Sequence, residues 1–210
     1  MICWSCEREG GAGPLCAACA VVLPPDDAQD RFSVLGVPRM FAVDLEAAET
    51  NFKKLSRQVH PDRFATADPR ARKAALARTV QLNDAWRTLK DPMRRAEYLL
   101  ELAGFELKGD DRKPAAAEVA TRQVSAPPMF LMEILELREE LAEAQRARNA
   151  PKVQAMAEAM RRRYADAMKS LGAALDEPGG AKLPEAARLL VGLRYYQRFL
   201  DEIPGEGAHG

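Results

Sequence analysis

The sequence has no excess of either charge: lysine plus arginine number 31, and aspartate plus glutamate number 31. No global field therefore draws the chain onto nucleic acid or an acidic membrane, and a charged partner must be met by a local patch. Long hydrophobic runs are missing as well. Stretches such as Tyr98–Leu100 and Leu189–Val191 are far too short for a transmembrane helix. The opening Met1-Ile2-Cys3-Trp4 has neither a basic segment nor an apolar one behind it, so no signal or transit peptide is expected and the default location is cytoplasmic. Histidine is scarce, with two residues, His60 and His209. There is no phosphate-binding loop and no set of polar residues gathered round a histidine, which argues against an enzyme. Cysteine is absent beyond position 19.

What remains is a chain built to fold. Its 210 residues are 47% hydrophobic and 30% charged, enough for buried cores and a soluble surface, and the length suits several small domains. The four cysteines, Cys3, Cys6, Cys16 and Cys19, form two Cys-x2-Cys pairs around a nine-residue gap. Each pair offers two thiolates from one tight turn, and two pairs complete a tetrahedral four-sulfur site. Gly10, Gly11 and Gly13 supply the return between them. Two disulfides or a redox pair are the competing readings; a reducing compartment disfavours the first, and the lack of a following βαβ pattern the second. A segment this small cannot fold on apolar burial alone, so residues 1–24 are expected to be a module stapled by structural zinc, with iron in the same cage also open.

Beyond a stiff Pro24-Pro25-Asp26-Asp27 linker the pattern is helical almost throughout. Phe32–Gly36 predicts a short helix. Leu45, Ala48, Phe52, Leu55 and Val59 form one stripe, with Asp44 as N-cap and Pro61 as the stop. A second long helix runs from Pro69 to Leu89 with Ala75, Thr79, Leu82, Trp86 and Leu89 as its stripe, and another covers Arg94–Ala103. The two long helices make an antiparallel hairpin whose loop carries His60-Pro61-Asp62. Lys53, Lys54 and Arg57 fall opposite the apolar stripe, a row of exposed cations suited to a negatively charged groove. An ordinary solvated face would look the same; the tripeptide at the end of that helix tips the reading toward docking, although its residues can also serve merely as helix caps.

This arrangement resembles a J-domain, the module that docks on DnaK-type chaperone ATPases. The resemblance implies that His60, Pro61 and Asp62, with Lys53, Lys54, Arg57 and Arg63, contact the ATPase as binding residues rather than as acid and base. Gln58-Val59-His60-Pro61-Asp62-Arg63-Phe64, Leu82–Lys90, Arg95–Leu100 and Phe130-Leu131-Met132-Glu133 through Glu136–Leu141 further resemble the HscB family of iron–sulfur cluster co-chaperones. The Gly/Phe-rich and β-rich regions of general J-proteins have no counterpart here. The paired cysteines resemble the metal-binding extension of the eukaryotic and some bacterial members.

The C-terminal third predicts three more helices after a connector over residues 105–128. Their stripes are Phe130, Ile134, Leu137, Leu141 and Ala144; then Val153, Ala157, Met160, Tyr164 and Leu171; then Ala186, Leu189, Leu193, Tyr196 and Leu200. Short loops favour an antiparallel three-helix bundle over residues 129–204. The fold class expected is thus all-α: a four-cysteine zinc module, a J-domain hairpin over residues 30–104, and this bundle. The first bundle helix is apolar on two faces. Leu131, Met132 and Leu135 lie roughly 100–200° round from its stripe, and Glu136, Glu139 and Glu143 continue from there. A helix with two bundle neighbours needs a wide stripe, so packing explains this as readily as recognition does. The family resemblance implies that these six residues, with Tyr195 as an aromatic slot, bind an IscU-type scaffold. An adaptor follows, joining that scaffold to a DnaK/HscA-type chaperone and stimulating its ATPase. The alternative is a general J-domain co-chaperone delivering unfolded clients. A zinc-ribbon nucleic-acid binder would need basic residues near the cysteines, where Arg8 stands alone, and a metal enzyme would need an open coordination position.

Overall fold

A computed structural model describes residues 1–11, 13–26, 28–107 and 122–204. Among these the chain forms seven α-helices and two three-residue strands, in two compact units, Met1–Arg95 and Ala96–Gly210.

The first unit begins with the cysteine module, in which the two pairs build the same local structure twice. Cys3 N–H donates to Arg8 O at 2.8 Å and Glu7 N–H to Cys3 O at 3.0 Å; Cys16 N–H donates to Val21 O and Ala20 N–H to Cys16 O, both at 2.8 Å. The residue after each pair, Glu7 (φ 58°) and Ala20 (φ 57°), takes the left-handed conformation that reverses the chain. The expected glycine-mediated return therefore covers only part of the turning. Cys3, Cys16 and Leu23 form a small core with Trp4, Cys6 and Val21 packed on it.

The helical part of this unit follows its caps and breakers closely. Asp30 caps α1 (Arg31–Leu35), and Gly36, at φ 66°, closes it. Asp44 caps α2 (Leu45–Val59) through Ala47 N–H at 2.9 Å, and a 3₁₀ turn, Pro61–Phe64, follows. Asp68 and Pro69 start α3 (Pro69–Lys90), which packs against both α1 and α2. Phe32, Leu35, Val59, Leu82, Ala85 and Leu89 are buried, and Phe52 stacks on Trp86 with centroids 5.6 Å apart. Two corrections arise. The buried face of α3 is wider than the expected stripe, taking in Ala71, Ala74 and Arg78. The Pro24–Asp27 linker is also anchored at its start: Leu23 is buried, and its carbonyl accepts from Arg78 Nε at 3.0 Å.

Helix α4 (Pro92–Leu102) begins two residues earlier than the pattern suggested, and the boundary between units falls within it. In the second unit, strands β1 (Phe105–Leu107) and β2 (Arg122–Val124) pair in parallel, Phe105 opposite Arg122. They lie against α7 and add a small sheet to the all-helical expectation. The rest of the expected connector, residues 108–121, lies outside the described residues. Three helices follow: α5 (Pro128–Arg146), α6 (Ala150–Leu175) and α7 (Leu183–Asp201). Asn149 caps α6. Leu141, Ala157, Met160, Phe199, Leu200 and Ile203 form a core cluster. The face of α7 is wider than its expected stripe, since Ala187, Leu190, Val191 and Phe199 are buried while Leu189 is only half-buried. Among the described residues, no helix is long and apolar enough to cross a membrane.

Candidate docking surfaces and metal site

The four cysteine sulfurs converge. All lie within 4.8 Å of one another, and the Cys3–Cys19 and Cys6–Cys16 separations are both 3.7 Å. Four thiolates placed 2.3 Å from a central zinc would stand about 3.8 Å apart, whereas a disulfide would bring two sulfurs to about 2.05 Å. All four thiols are free. Ser5 N–H and Ala18 N–H each point at the first sulfur of a pair, at 3.4 Å, as donors that favour thiolate. The cluster cannot carry its four negative charges by itself. Burial works against ionising Cys3, but the backbone N–H groups of Cys6 and Ser5 and the thiols of Cys16 and Cys19 bring it down to about 6. For Cys19 the backbone N–H of Val21 favours ionisation, yet burial and the other three thiols push it up to about 11. A divalent cation removes this conflict, because a coordinated thiol is deprotonated outright. The donor set thus fits a closed, structural tetrahedral metal site.

On the helical hairpin, Lys53, Lys54 and Arg57 are all exposed while Phe52 and Leu55 are half-buried and Val59 is buried, as the helical spacing requires. Lys53 pairs with Glu49 one turn earlier at 2.8 Å. His60 ends α2, and Pro61 opens the 3₁₀ turn. The His60 Nδ1 faces Asp62 N–H at 3.4 Å and the Asp62 carboxylate at 3.5 Å. Arg63 reaches back to the Arg57 carbonyl at 3.4 Å. The Asp62 side chain is 90% exposed and that of His60 56%. Loop and basic helix thus form one contiguous polar surface, with the tripeptide held by local bonds and its side chains facing solvent. Asp84, within the Asn83-Asp84-Ala85 run, is instead structural: it pairs with Arg31 at 2.8 Å and with Arg87 at 3.1 Å.

On α5, Ile134, Leu141 and Ala144 are buried, but Leu131, Met132 and Leu135 are 39%, 57% and 56% exposed. The second apolar face is therefore not consumed by the bundle. Glu136, Glu139 and Glu143 are exposed beside it. Met129, three residues before Met132 and the most exposed apolar residue of the helix, extends the stripe; that i, i+3 spacing was the signal for it. Tyr195 differs from the others. It is half-buried on α7, edge-on to Phe130 at 5.8 Å, with the Arg198 guanidinium 5.9 Å over its ring. Its observed contacts belong to bundle packing rather than to the exposed stripe.

Comparison with known proteins matches both helical parts of the chain to known domains. Residues 30–98 match the DnaJ domain, and residues 126–204 match the HSCB C-terminal oligomerisation domain. The iron-sulfur cluster co-chaperone protein HscB of Mus musculus is 31% identical over 206 residues, 96% of this chain and 80% of its own. The co-chaperone protein HscB homolog of Vibrio vulnificus strain YJ016 is 34% identical over 175 residues, covering 83% of this chain and 94% of its own. The crystal structure of human co-chaperone protein HscB superposes with a TM-score of 0.76 at 26% identity, covering 94% of each chain. Chaperone HscB from Vibrio cholerae gives 0.65 at 33% identity, covering 83% of this chain and 94% of the other. With a J-domain, a matching C-terminal domain and relatives of this similarity along most of its length, the chain belongs to the HscB family of co-chaperones.

Proposed function

We propose that this protein is an adaptor for iron–sulfur cluster biogenesis, carrying an IscU-type scaffold to a DnaK/HscA-type chaperone and stimulating that chaperone's ATPase. The observation that carries the reading is the exposed apolar stripe of α5, in which Met132 and Leu135 are more than half exposed with carboxylates alongside. Apolar anchors with a polar rim are the anatomy of a protein interface, and an unneeded stripe of this kind is costly in a soluble chain. Leu131, Met132, Leu135, Glu136, Glu139 and Glu143 form the scaffold surface, with Tyr195 at its margin. His60, Pro61 and Asp62, flanked by Lys53, Lys54, Arg57 and Arg63, engage the ATPase. The Mus musculus relative, an iron-sulfur cluster co-chaperone protein, supports this assignment.

The two surfaces lie on one chain, so binding the scaffold by one and the chaperone by the other raises the effective concentration of each for the other. The exposed cations speed encounter with an acidic groove at low salt. Asp62 and His60 then act as contact groups and perform no proton transfer. The protein itself is not an enzyme. Cys3, Cys6, Cys16 and Cys19 hold one structural zinc, which supplies folding energy to the module and leaves no open coordination position.

Steady-state ATP turnover of a DnaK/HscA-type chaperone tests the reading, measured with this protein alone, with an IscU-type scaffold alone and with both. Synergy between the two is expected. Stimulation indifferent to the scaffold would leave a J-domain co-chaperone for other clients.

A further inference from the structure

Within the first unit, a groove of about 260 Å³ opens between the cysteine module and the helical hairpin. Its polar wall is made by Arg78, Lys54, Gln29, Gln81, Ser33 and Asn51, and among the described residues no acidic one lines it. Leu35, Leu55 and Pro14 supply apolar wall beside them.

Arg78 is the unusual group. Its residue is only 6% exposed, yet every partner of its guanidinium is neutral. Nε donates to Leu23 O at 3.0 Å, and Nη1 donates to Gln29 Oε1 at 3.2 Å and Gln81 Oε1 at 3.0 Å. Among the described residues the hydrogen bonds of the guanidinium come from Nε and Nη1 alone, and Nη2 is not a buried orphan, so it is left to the solvent of the groove. Among the described residues it has no ion pair; Asp26 favours the charge only through space, while burial disfavours it. Buried charges are ordinarily paired, because a charge without a counter-charge bears the full penalty of its desolvation. Lys54, the second cation of the groove, is likewise without an ion pair among the described residues.

We propose that this groove is a binding site for a small oxyanion, a phosphate or carboxylate head carrying a short apolar body, which pairs with Arg78 Nη2 and Lys54 and lays its apolar part along Leu35 and Leu55. The site shares Lys54 with the proposed chaperone surface and has no residue in common with the scaffold surface; it depends on the cysteine module for one wall, through Gly13 and Pro14.

The full-length, zinc-loaded protein, labelled with ¹⁵N, tests this by titration with inorganic phosphate and with n-butyl phosphate, against sodium chloride at matched ionic strength. Saturable shifts are expected at the Arg78 Nε–H and at the amides of Gln29, Ser33 and Gln81, with n-butyl phosphate binding several-fold more tightly than phosphate. Because Arg78 also holds the fold, the diagnostic variant is Gln81→Glu, which sets a carboxylate beside Nη1 and pairs the charge internally. It should keep or raise the melting temperature while weakening n-butyl phosphate by at least about tenfold, the consequence of losing one charge-assisted bond. Shifts no larger than those with chloride, n-butyl phosphate binding no tighter than phosphate, or unchanged binding in a folded Gln81→Glu variant would each overturn the site.

Discussion

Arg78 Nε donates to the carbonyl of Leu23 at 3.0 Å, so a buried guanidinium in the middle of α3 holds the segment that leaves the cysteine module. Trp4 ties the same place from the other side, its Nε1–H donating to Val22 O at 2.9 Å while Arg70 lies 5.2 Å over its ring. Module and hairpin are thereby joined by the Arg78 bond to a backbone carbonyl and by the Arg70–Trp4 cation–π contact, in keeping with residues 1–95 forming one unit.

Arg78→Ala should therefore destabilise the whole of that unit. It removes three hydrogen bonds and leaves the buried Leu23 carbonyl short of a donor, a loss of about 2–4 kcal/mol. Urea denaturation followed by circular dichroism measures it. Limited proteolysis should also begin to cut near residues 24–30, where the anchor has gone, while the zinc content stays the same.

Asp62→Asn should abolish ATPase stimulation without changing helical circular dichroism or the melting temperature. The carboxylate is 90% exposed, and its one contact in the loop is the 3.5 Å approach to His60. Exposed groups with so little structural work change stability by about 0.5 kcal/mol or less. Undiminished stimulation by the variant would remove the docking assignment from this loop.

Much of this architecture was legible because it rests on local rules. Asp44 caps α2 as expected, the stripe from Leu45 to Val59 marks both ends of that helix, and Pro69 opens α3; Asp30, Asp68 and Asn149 are further caps that the structure adds. The spacing of the two Cys-x2-Cys pairs likewise points to the four-sulfur cluster that the fold brings together. Arg78 was not legible, since an arginine in a basic helix reads as solvated, and only the carbonyl of Leu23, 55 residues away, makes it a core residue. The left-handed turns at Glu7 and Ala20 escaped notice for a related reason: neither residue type announces that conformation, and the backbone bonds to Cys3 and Cys16 impose it. Strands β1 and β2 are three residues each, shorter than any periodicity can reveal. Whether the second face of α5 was core or surface depended on how the other helices pack, which a wheel cannot supply.

Asp84 should make stability depend on acid pH. Burial raises its carboxyl pKa, but hydrogen bonds and charge from Arg31 and Arg87 outweigh this and hold it below the usual carboxylate range. A depressed folded value means that the stabilisation is present above the unfolded value of about 3.9 and is lost as pH falls through the folded value. The carboxylate is 37% exposed, so solvent screening limits the effect to less than about 1 kcal/mol. Asp84→Asn should lower the melting temperature slightly at pH 7, and the gap from the parent should close below about pH 4. A gap that persists undiminished at pH 2 would place the effect in packing rather than in charge.

Metal analysis of protein purified under reducing conditions should find about one zinc per chain. Cys16, 2% exposed and part of the small core of the module, is a demanding position to replace. Cys16→Ser should release the ion, and chelation of the parent should broaden or collapse the amide resonances of residues 1–23 while those of α2 remain dispersed. Well-folded, metal-free protein with an ordered module would refute the site.

Met132→Ser together with Leu135→Ser separates a docking surface from a core. Had these residues been packed in the bundle, each truncation would cost about 2–5 kcal/mol through lost burial and a residual cavity. At 57% and 56% exposure neither has a full shell of neighbours to lose. The double variant should keep its melting temperature within about 3 °C of the parent, the shift that corresponds to well under 1 kcal/mol in a domain of this size. Its affinity for the scaffold, read by calorimetric titration, should fall by at least about tenfold, since apolar anchors at the centre of an interface carry most of its energy. ATPase stimulation by the scaffold-free protein should be untouched, because His60, Pro61 and Asp62 lie in the other compact unit. A large fall in melting temperature would return Met132 and Leu135 to the core. Undiminished affinity in a stable variant would move the scaffold surface off α5.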